Sequence, residues 1–500
     1  MKKHHTPQMN TLSIDTLLER LEGMFSYTLH GNTSIGDSRL QGISLDSREV
    51  SKESIFIALV GEKVDGHDYI DDAIEKGAIA VVCQKMPQNS DDSVLYIHVP
   101  EDTQHYAGHI ASAYYNFPSR NMKVIGITGT NGKTTIATSL WYGLTLLGKR
   151  VGLISTSENR IGGEVEVAQR TTPDPVSLQK LFARMRSAEC AYVVMEVSSH
   201  AVTMGRIVGT TFGVGIFTNL TRDHINFHGS MENYADAKKG FFDGLSSDAI
   251  AITNSDSDYG MYMVNDTKAT VRSYSIEQFS DYQAEETWYS LKGSEFILFD
   301  TKYTTQLVGE FNIYNMLAVI AGLEACNIDR KKTHAILPEI PSVRGRFELV
   351  TRDSDNKSAI IDYAHTPDAL ENVLESMNHM QEDGQKIITI FGCAGDRDHS
   401  KRDPMMNIAM EKSDYVIVTS DNPRSEDPEG ILNDVTKAFI NDKENTHWER
   451  ITDRKEAIKK GYEIMTSKDI LLIAGKGHED YQEVHGKKIH FDDREVFLEI

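Results

Sequence analysis

Cysteine is scarce: Cys83, Cys190, Cys326 and Cys393 are the only four in 500 residues, and no two stand in a C-x-x-C pair. A disulfide framework or a cysteine zinc site is therefore not expected, whereas reduced thiols in a core are. Long hydrophobic runs are also missing, since nowhere do about eighteen apolar residues follow one another as a membrane span requires. The N-terminal MKKHHTPQMN is basic but has no apolar stretch behind it, so neither export nor membrane insertion is expected and a cytoplasmic protein is. Cations are outnumbered, with 52 Lys and Arg against 74 Asp and Glu giving a formal charge of −22. A duplex nucleic-acid binder needs a basic face, so that class is set aside. An anionic ligand would have to be held by locally placed cations, helix N-termini and metal ions. Internal repeats and low-complexity segments are absent as well.

What is present is a 40% hydrophobic chain long enough for about three or four cores. From about residue 122, short β-rich runs alternate with helices of 3.6 period. KVIGIT reads as a strand, the helix after it aligns Ile136, Leu140, Leu144 and Leu147, and VGLIST is a strand again. A second helix aligns Leu178, Leu181, Phe182 and Met185, and AYVVMEV and GVGIFTNL supply strands that read as buried on both faces, hence a parallel α/β unit. Near residue 343 a second such unit begins, with strands AIIDYAH, KIITIFG, DYVIVTS and DILLIAG and a helix aligning Leu370, Val373, Leu374 and Met377. Its strands run into HTPD, CAGDRDHSKR, DNPRSED and KGHEDYQ, loops that an open sheet brings to one crevice. Residues 1–119, with GISLDSREV, SIFIALVG, AIAVVC and VLYIHVP as short strands, form a third and smaller α/β unit.

GITGTNGKTT sits between a strand and a helix, where a phosphate-cradling loop belongs. The strict Walker A spacing fails by one position because Ile127 stands where glycine is wanted. The physics survives the mismatch: Gly129 and Gly132 let backbone N–H groups face an anion, Lys133 brings a point charge, Thr134 can reach magnesium, and the next helix offers its positive end. Glu196 and His200 leave a strand at the same edge, and His224 follows the next strand, which makes the three a candidate metal group. VTSDNPRSEDP raises a separate question, because Arg424 stands among Asp421, Glu426, Asp427 and Glu429 and is either a solvated charge satisfied by its neighbours or a clamp for an anion.

In order and spacing, TGTNGKTT, EVSSH, TNLTRDHINFHGSMENYADAK, GEFNIYN, GRFE, DYAHTPD, GDRDHSKR and AGKGHEDYQ resemble the Mur ligases over nearly the whole chain. Within that family the likeness is to members that add the third amino acid to UDP-N-acetylmuramoyl-L-alanyl-D-glutamate. The resemblance implies an α/β protein of three domains: a small UDP-MurNAc-binding domain (1–119), a central P-loop-type ATPase domain with a mostly parallel sheet (120–342), and a C-terminal Rossmann-like amino-acid-binding domain (343–500). It implies ATP and Mg2+ as cofactors, an acyl phosphate that an amine then attacks, and a monomer at work in peptidoglycan precursor synthesis. By the same resemblance, Thr128, Gly129, Thr130, Asn131, Gly132, Lys133 and Thr134 hold ATP together with Asn312, Arg346 and Asp362. Thr134, Glu196 and a carbamylated Lys238 serve magnesium, with His200 assisting, and closure of the C-terminal domain precedes chemistry. Ser47 in LDSR and the VDGH loop fall to the uridine end, and Thr171, Thr172, Ser198 and Arg206 to the pyrophosphate and peptide carboxylates. Met204 departs from the pattern, since some relatives carry glutamine there, which puts a polar substrate contact in question.

In this family DNPR accompanies meso-diaminopimelate, which differs from lysine by a second carboxylate that a planar guanidinium can meet with two parallel hydrogen bonds. Asp421, Asn422, Pro423, Arg424 and Gly475 are then the amino-acid site, with Glu479 for the far ammonium and Arg397 for the other carboxylate. The alternatives are the same ligation with L-lysine, a folylpolyglutamate-synthetase-like ligase, which would have no use for LDSR and VDGH, and a paralogue that binds nucleotide without catalysis.

Overall fold

The computed structural model describes residues 12–61, 64–100, 102–439 and 447–500. The basic N-terminal stretch, and Glu62 and Lys63 of the GEKVDGH loop, lie outside them. The first unit is a five-stranded sheet in the order Thr28–Gly31, Leu95–His98, Ala78–Cys83, Ser54–Ile57, Gly42–Ser44, parallel except at the Thr28–Gly31 edge. Its helix Thr103–Tyr114 packs on helix Pro175–Ser187 of the central unit, where Ser112 donates to the Gly209 carbonyl.

The central unit is a nine-stranded sheet whose strand Lys123–Thr128 lies between Tyr192–Glu196 and Val214–Phe217, all three parallel. Chain order reverses there, with Val151–Ile154 beyond one neighbour and Ile250–Asn254 beyond the other, so the carboxyl ends of the central three strands form a switch-point crevice. Register sets Glu196 beside Ile127 and Phe217 beside Thr128, which brings the nucleotide loop, Glu196 and Thr218 to one edge. Helix Lys133–Leu146 buries Ile136, Leu140 and Leu144 against helix Glu310–Ala325, while Leu147, the C-cap, is only partly covered. The Leu178, Leu181, Phe182, Met185 stripe is buried as its spacing requires. The sheet also carries an antiparallel edge hairpin, Glu158–Ile161 with Glu164–Val167, and a separate antiparallel sheet spans Glu285–Ser290, Gly293–Leu298 and Thr301–Thr305. Neither is visible in the hydrophobic pattern, because both have exposed, polar faces.

The C-terminal sheet runs Glu348–Thr351, Ser358–Asp362, Ile470–Ala474, Ile387–Phe391, Tyr415–Val418, Trp448–Arg450, parallel apart from the first strand. Leu370, Val373, Leu374 and Met377 of helix Pro367–Met380 are buried against it. All four cysteines are buried and free. Among the described residues no helix is long and apolar enough to cross a membrane.

Candidate functional site

The nucleotide loop is shaped by close approach. Gly129 has φ 149°, and a Cβ there would stand 1.8 Å from Thr218 Oγ1, so no side chain fits. Thr218 donates to the Asn131 carbonyl at 2.6 Å, and Asn219 accepts from the Asn131 N–H at 2.9 Å, which clamps the loop from the neighbouring strand end. Lys133 folds back over it, donating to the Gly129 and Thr130 carbonyls at 2.9 and 2.8 Å. Lys238, 1% exposed on helix Met231–Asp243, donates at 2.8 Å to the same Gly129 carbonyl. Two lysines thus share one acceptor. Burial, and then Lys133 nearby, hold Lys238 well below the usual lysine range; burial also lowers Lys133. Lys238 is therefore neither a solvated helix lysine nor one neutralised by an acid.

Glu196 is buried, and its two oxygens accept from the Thr156 N–H and hydroxyl at 2.8 and 3.1 Å. Thr156 was not singled out from the sequence; it lies just beyond strand Val151–Ile154, next to the strand that ends in Glu196. His200 stacks on Phe227 with ring centres 3.9 Å apart and meets His224 edge-on at 4.9 Å, so the two predicted histidines are neighbours. Desolvation, opposed by Asp223 and aided by Lys133 and Lys238, brings His224 down to about 4. His228, a third ring 5.5 Å from His200, is also brought to about 4 by burial and accompanies Ser199 at 2.9 Å. Among the described residues no three His, Cys, Asp or Glu groups form a metal cage. The structure therefore does not bring Glu196, His200 and His224 together as the metal group their positions in the sequence suggest, although His200 and His224 are neighbours. Buried Thr128 Oγ1, at the mouth of the loop, has no hydrogen-bond partner among the described residues.

The C-terminal unit reaches this edge. Asp368 accepts at 2.9 Å from both Asn131 Nδ2 of the loop and Thr221 Oγ1, and burial raises its pKa above the usual carboxylate range. Arg346 donates to Thr134 Oγ1 at 3.2 Å and lies over the Tyr363 ring, while its buried Nε has no partner among the described residues. Asp362 accepts from the Phe347 and Ala364 N–H groups, both at 2.7 Å, and burial raises it against the pull of Arg346. Asn312 is 2% exposed, donating to the Val308 carbonyl and accepting from Asn315. The sequence offers HTPD as one of four convergent loops and within the DYAHTPD motif; that its aspartate touches the nucleotide loop depends on how two units dock, which no local pattern encodes.

At the amino-acid end, Arg424 is not satisfied by Glu426 or Asp427. Glu426 pairs with Arg402, while Arg424 Nη1 donates to the Gly395 carbonyl at 2.8 Å and Nε lies 3.7 Å from Glu483 on the hairpin Tyr481–Val484, Lys487–His490. Asn422 does not present a free amide: Nδ2 donates to Glu479 at 2.8 Å and Oδ1 accepts from the Glu483 N–H at 2.9 Å. Burial and Asp421 raise Glu479, opposed by Lys476, which is fully buried 3.4 Å from Glu479 and 3.7 Å from Asp421. Pro423 is buried, and the Gly475 N–H donates to the Asp362 carbonyl, joining this end to the nucleotide side. Arg397 is exposed. Lys476 and Glu483 were missed, although Lys476 lies inside the AGKGHEDYQ motif.

Toward the first unit, Thr172 is buried; it donates to the Glu196 carbonyl at 2.9 Å and accepts from the Ser198 N–H at 3.1 Å, and Thr171 lies 3.1 Å from Thr156. Arg206 donates to the Thr172 carbonyl and, at 3.2 Å, to the sulfur of Met204, so methionine at 204 still serves as an acceptor. The Met204 carbonyl accepts from Gln104 of the first unit at 2.8 Å. Ser47 stands apart from this cluster in the turn Ser47–Glu49, where its carbonyl accepts from Lys76.

Family models match in three consecutive stretches: the Mur ligase family catalytic domain over residues 39–115, the Mur ligase middle domain over 127–323, and the Mur ligase glutamate ligase domain over 345–477. The chain is 44% identical over 474 residues to the UDP-N-acetylmuramoyl-L-alanyl-D-glutamate–2,6-diaminopimelate ligase of Phocaeicola vulgatus, covering 94% of this chain and 97% of the relative. With the protein of that name from Bacillus velezensis it shares 39% identity over 92% of this chain and 94% of the relative. A solved structure of a protein with the same name superimposes with TM-score 0.69 at 29% identity over 97% of this chain and 99% of the other. The folylpolyglutamate synthase of Mycobacterium tuberculosis shares the fold, with TM-score 0.60 at 19% identity over 75% of this chain and 92% of the other.

Proposed function

We propose, for a chain that belongs to the Mur ligase family, that it is an ATP-dependent ligase joining meso-diaminopimelate to UDP-N-acetylmuramoyl-L-alanyl-D-glutamate in peptidoglycan precursor synthesis. The observation that carries the choice of nucleophile is that the loop bearing Asp421 and the Arg424 guanidinium is joined through Asn422 to Glu479 of the adjoining loop, which suits a far end bearing both carboxylate and ammonium.

The glutamyl carboxylate takes the γ-phosphoryl group of ATP and ADP leaves; the diaminopimelate nitrogen then attacks the carbonyl carbon and phosphate departs. Phosphorylation replaces an oxide leaving group by phosphate, splitting one hard step into two. Negative charge gathers at both stages, so positioned cations matter more than any one acid or base. Lys133, folded over the nucleotide loop, and Arg346, bonded to Thr134, supply that charge, and Asn312 and Asp362 hold the nucleoside end. Thr134 and Glu196 would hold Mg2+, which when bound offsets charge on the transferring phosphoryl group. Burial shifts Lys238 toward the neutral amine form that carbon dioxide requires, and its carbamate would add an anionic ligand at the Gly129 end of the nucleotide loop, with His200 supporting the metal or the peptide. Thr171, Thr172, Ser198 and Arg206 face the dipeptide, and Ser47 the uridine. Asp421, Asn422, Pro423, Arg424, Gly475, Glu479 and Arg397 receive the amino acid. We place the enzyme in the cytoplasm as a monomer, with no nucleic-acid partner. The test is an amino-acid panel with ATP and the UDP-dipeptide, read by product mass. A diaminopimelate adduct is expected; a lysine adduct in its place, or product without the UDP-dipeptide, would overturn the reading.

A further inference from the structure

Arg454 is among the largest side chains fully withdrawn from solvent, and the chemistry above does not use it. It opens helix Arg454–Ile464 and meets Asp493, the first residue of helix Asp493–Glu499, through two hydrogen bonds of 2.7 Å. Two further donors go to backbone carbonyls, Ser420 at 3.4 Å and Ala474 at 3.0 Å. Those are the residues immediately before Asp421–Arg424 and Gly475–Glu479. The strands that lead to them, Tyr415–Val418 and Ile470–Ala474, are not paired, because Ile387–Phe391 lies between them. No ladder hydrogen bond therefore joins the two loop roots directly, whereas the planar guanidinium, itself fixed by Asp493, spans the gap between them. Burial opposes the charge of Arg454, while Asp493 first and then Asp421 and Glu479 raise it above the usual guanidinium range.

We infer that Arg454 is a positioning residue for the amino-acid site: it fixes the spacing of the 421–424 and 475–479 loops so that the carboxylate and ammonium of one zwitterionic side chain are met at once. The inference rests on the proposed amino-acid site and touches no substrate directly. Two variants of the full-length enzyme test it. Arg454→Lys keeps the charge but cannot reach three acceptors. The double variant Arg454→Met with Asp493→Leu removes the buried pair together, a change that generally leaves stability intact, but also removes the donors to both carbonyls. For each, kcat and KM are measured for ATP, UDP-dipeptide and meso-diaminopimelate, together with the diaminopimelate-to-lysine product ratio in direct competition. The expected result is a diaminopimelate KM raised by at least about tenfold, a product ratio lowered by a similar factor, and an ATP KM within about twofold of wild type. A uniform fall in kcat with unchanged KM values and ratio would assign Arg454 a purely structural role and overturn the inference, as would failure of both variants to fold. If the wild-type enzyme prefers another amino acid, the functional reading fails, and the same ratio taken for that amino acid still tests Arg454.

Discussion

Replacing Arg424 by alanine isolates the proposed far-carboxylate contact. The residue has φ 54°, and its backbone is tied to the adjacent hairpin, its N–H donating to the Glu483 carbonyl at 2.9 Å and its carbonyl accepting from the His485 N–H at 2.7 Å. These bonds survive the substitution, and alanine inherits the same left-handed conformation, so the loop keeps its course. What is lost is the guanidinium. Its anchor on the Gly395 carbonyl is neutral, and Glu483 at 3.7 Å is a partly exposed partner worth about 0–1 kcal/mol. Two charge-assisted bonds to a carboxylate are worth about 1.5–3 kcal/mol each, and release of Glu483 and side-chain ordering reduce the sum to about 3 kcal/mol, or about a hundredfold. The assay is phosphate release against meso-diaminopimelate concentration at saturating ATP and UDP-dipeptide. We expect kcat/KM for diaminopimelate to fall about a hundredfold, KM for ATP to stay within about twofold, and Arg424→Lys to lose about tenfold because an ammonium cannot bind in parallel. Wild-type efficiency in Arg424→Ala, or an equal loss toward all three substrates, would refute the reasoning.

Lys133→Met should lower kcat by about a hundred- to a thousandfold, measured as ADP formation, since it removes a preorganised cation from the phosphoryl-transfer site. Lys238 gives a pH signature: its folded-state value lies below the ordinary 10.5, so between the two the unfolded chain binds more protons and stability rises with pH. Denaturation midpoints in carbon-dioxide-free buffer should therefore climb toward pH 10.5 in the wild type and show a smaller slope in Lys238→Met, while 13C-labelled carbon dioxide should give a carbamate resonance in the wild type alone. Asp368→Ala removes two hydrogen bonds between the C-terminal unit and the nucleotide side, about 1–3 kcal/mol, and should raise the ATP KM by about five- to a hundredfold; an unchanged KM would show the contact to be irrelevant to ATP binding.

The parallel strands and the three apolar helix stripes were legible because burial on both sheet faces leaves unbroken β-branched runs and helix periodicity is local. The nucleotide loop was legible for a related reason, since glycine, lysine and threonine in fixed register encode one backbone shape. The antiparallel sheet at Glu285–Thr305 escaped notice because its strands alternate weakly and carry charge. Side-chain partners were the least legible. Glu483 lies 59 residues beyond Arg424 in the chain, and Thr156 meets Glu196 only because their strands pair. Lys238 shows the limit most clearly: helical spacing permits a solvated lysine, and only the packing of Met231–Asp243 against the nucleotide loop removes it from water.

A chain of formal charge −22 that is to hold several phosphates must keep its few cations from being neutralised by its many acids. At the nucleotide end this is achieved by the choice of partner. Lys133 donates to backbone carbonyls and Arg346 to a hydroxyl, and among the described residues neither has a carboxylate within ion-pair distance. A carbonyl fixes a cation's position without cancelling its charge, so the field remains for an arriving anion. Carbonyl anchoring alone is not sufficient, since Lys123 and Arg20 use it simply to satisfy the ends of helices at Ala325 and Ala113. The contrast with purely structural cations is nonetheless consistent: Arg402 meets Glu426 and Asp434, and Arg184 meets Glu164 and Glu166. The amino-acid end inverts the arrangement, for there one buried lysine, Lys476, stands between two acids, Asp421 and Glu479. That leaves one negative charge in excess where an ammonium is to bind, while Arg424 beside it keeps a neutral anchor for a carboxylate. A ligand carrying only an ammonium at that end satisfies half of this pattern, which is the physical basis for expecting lysine to be the poorer substrate.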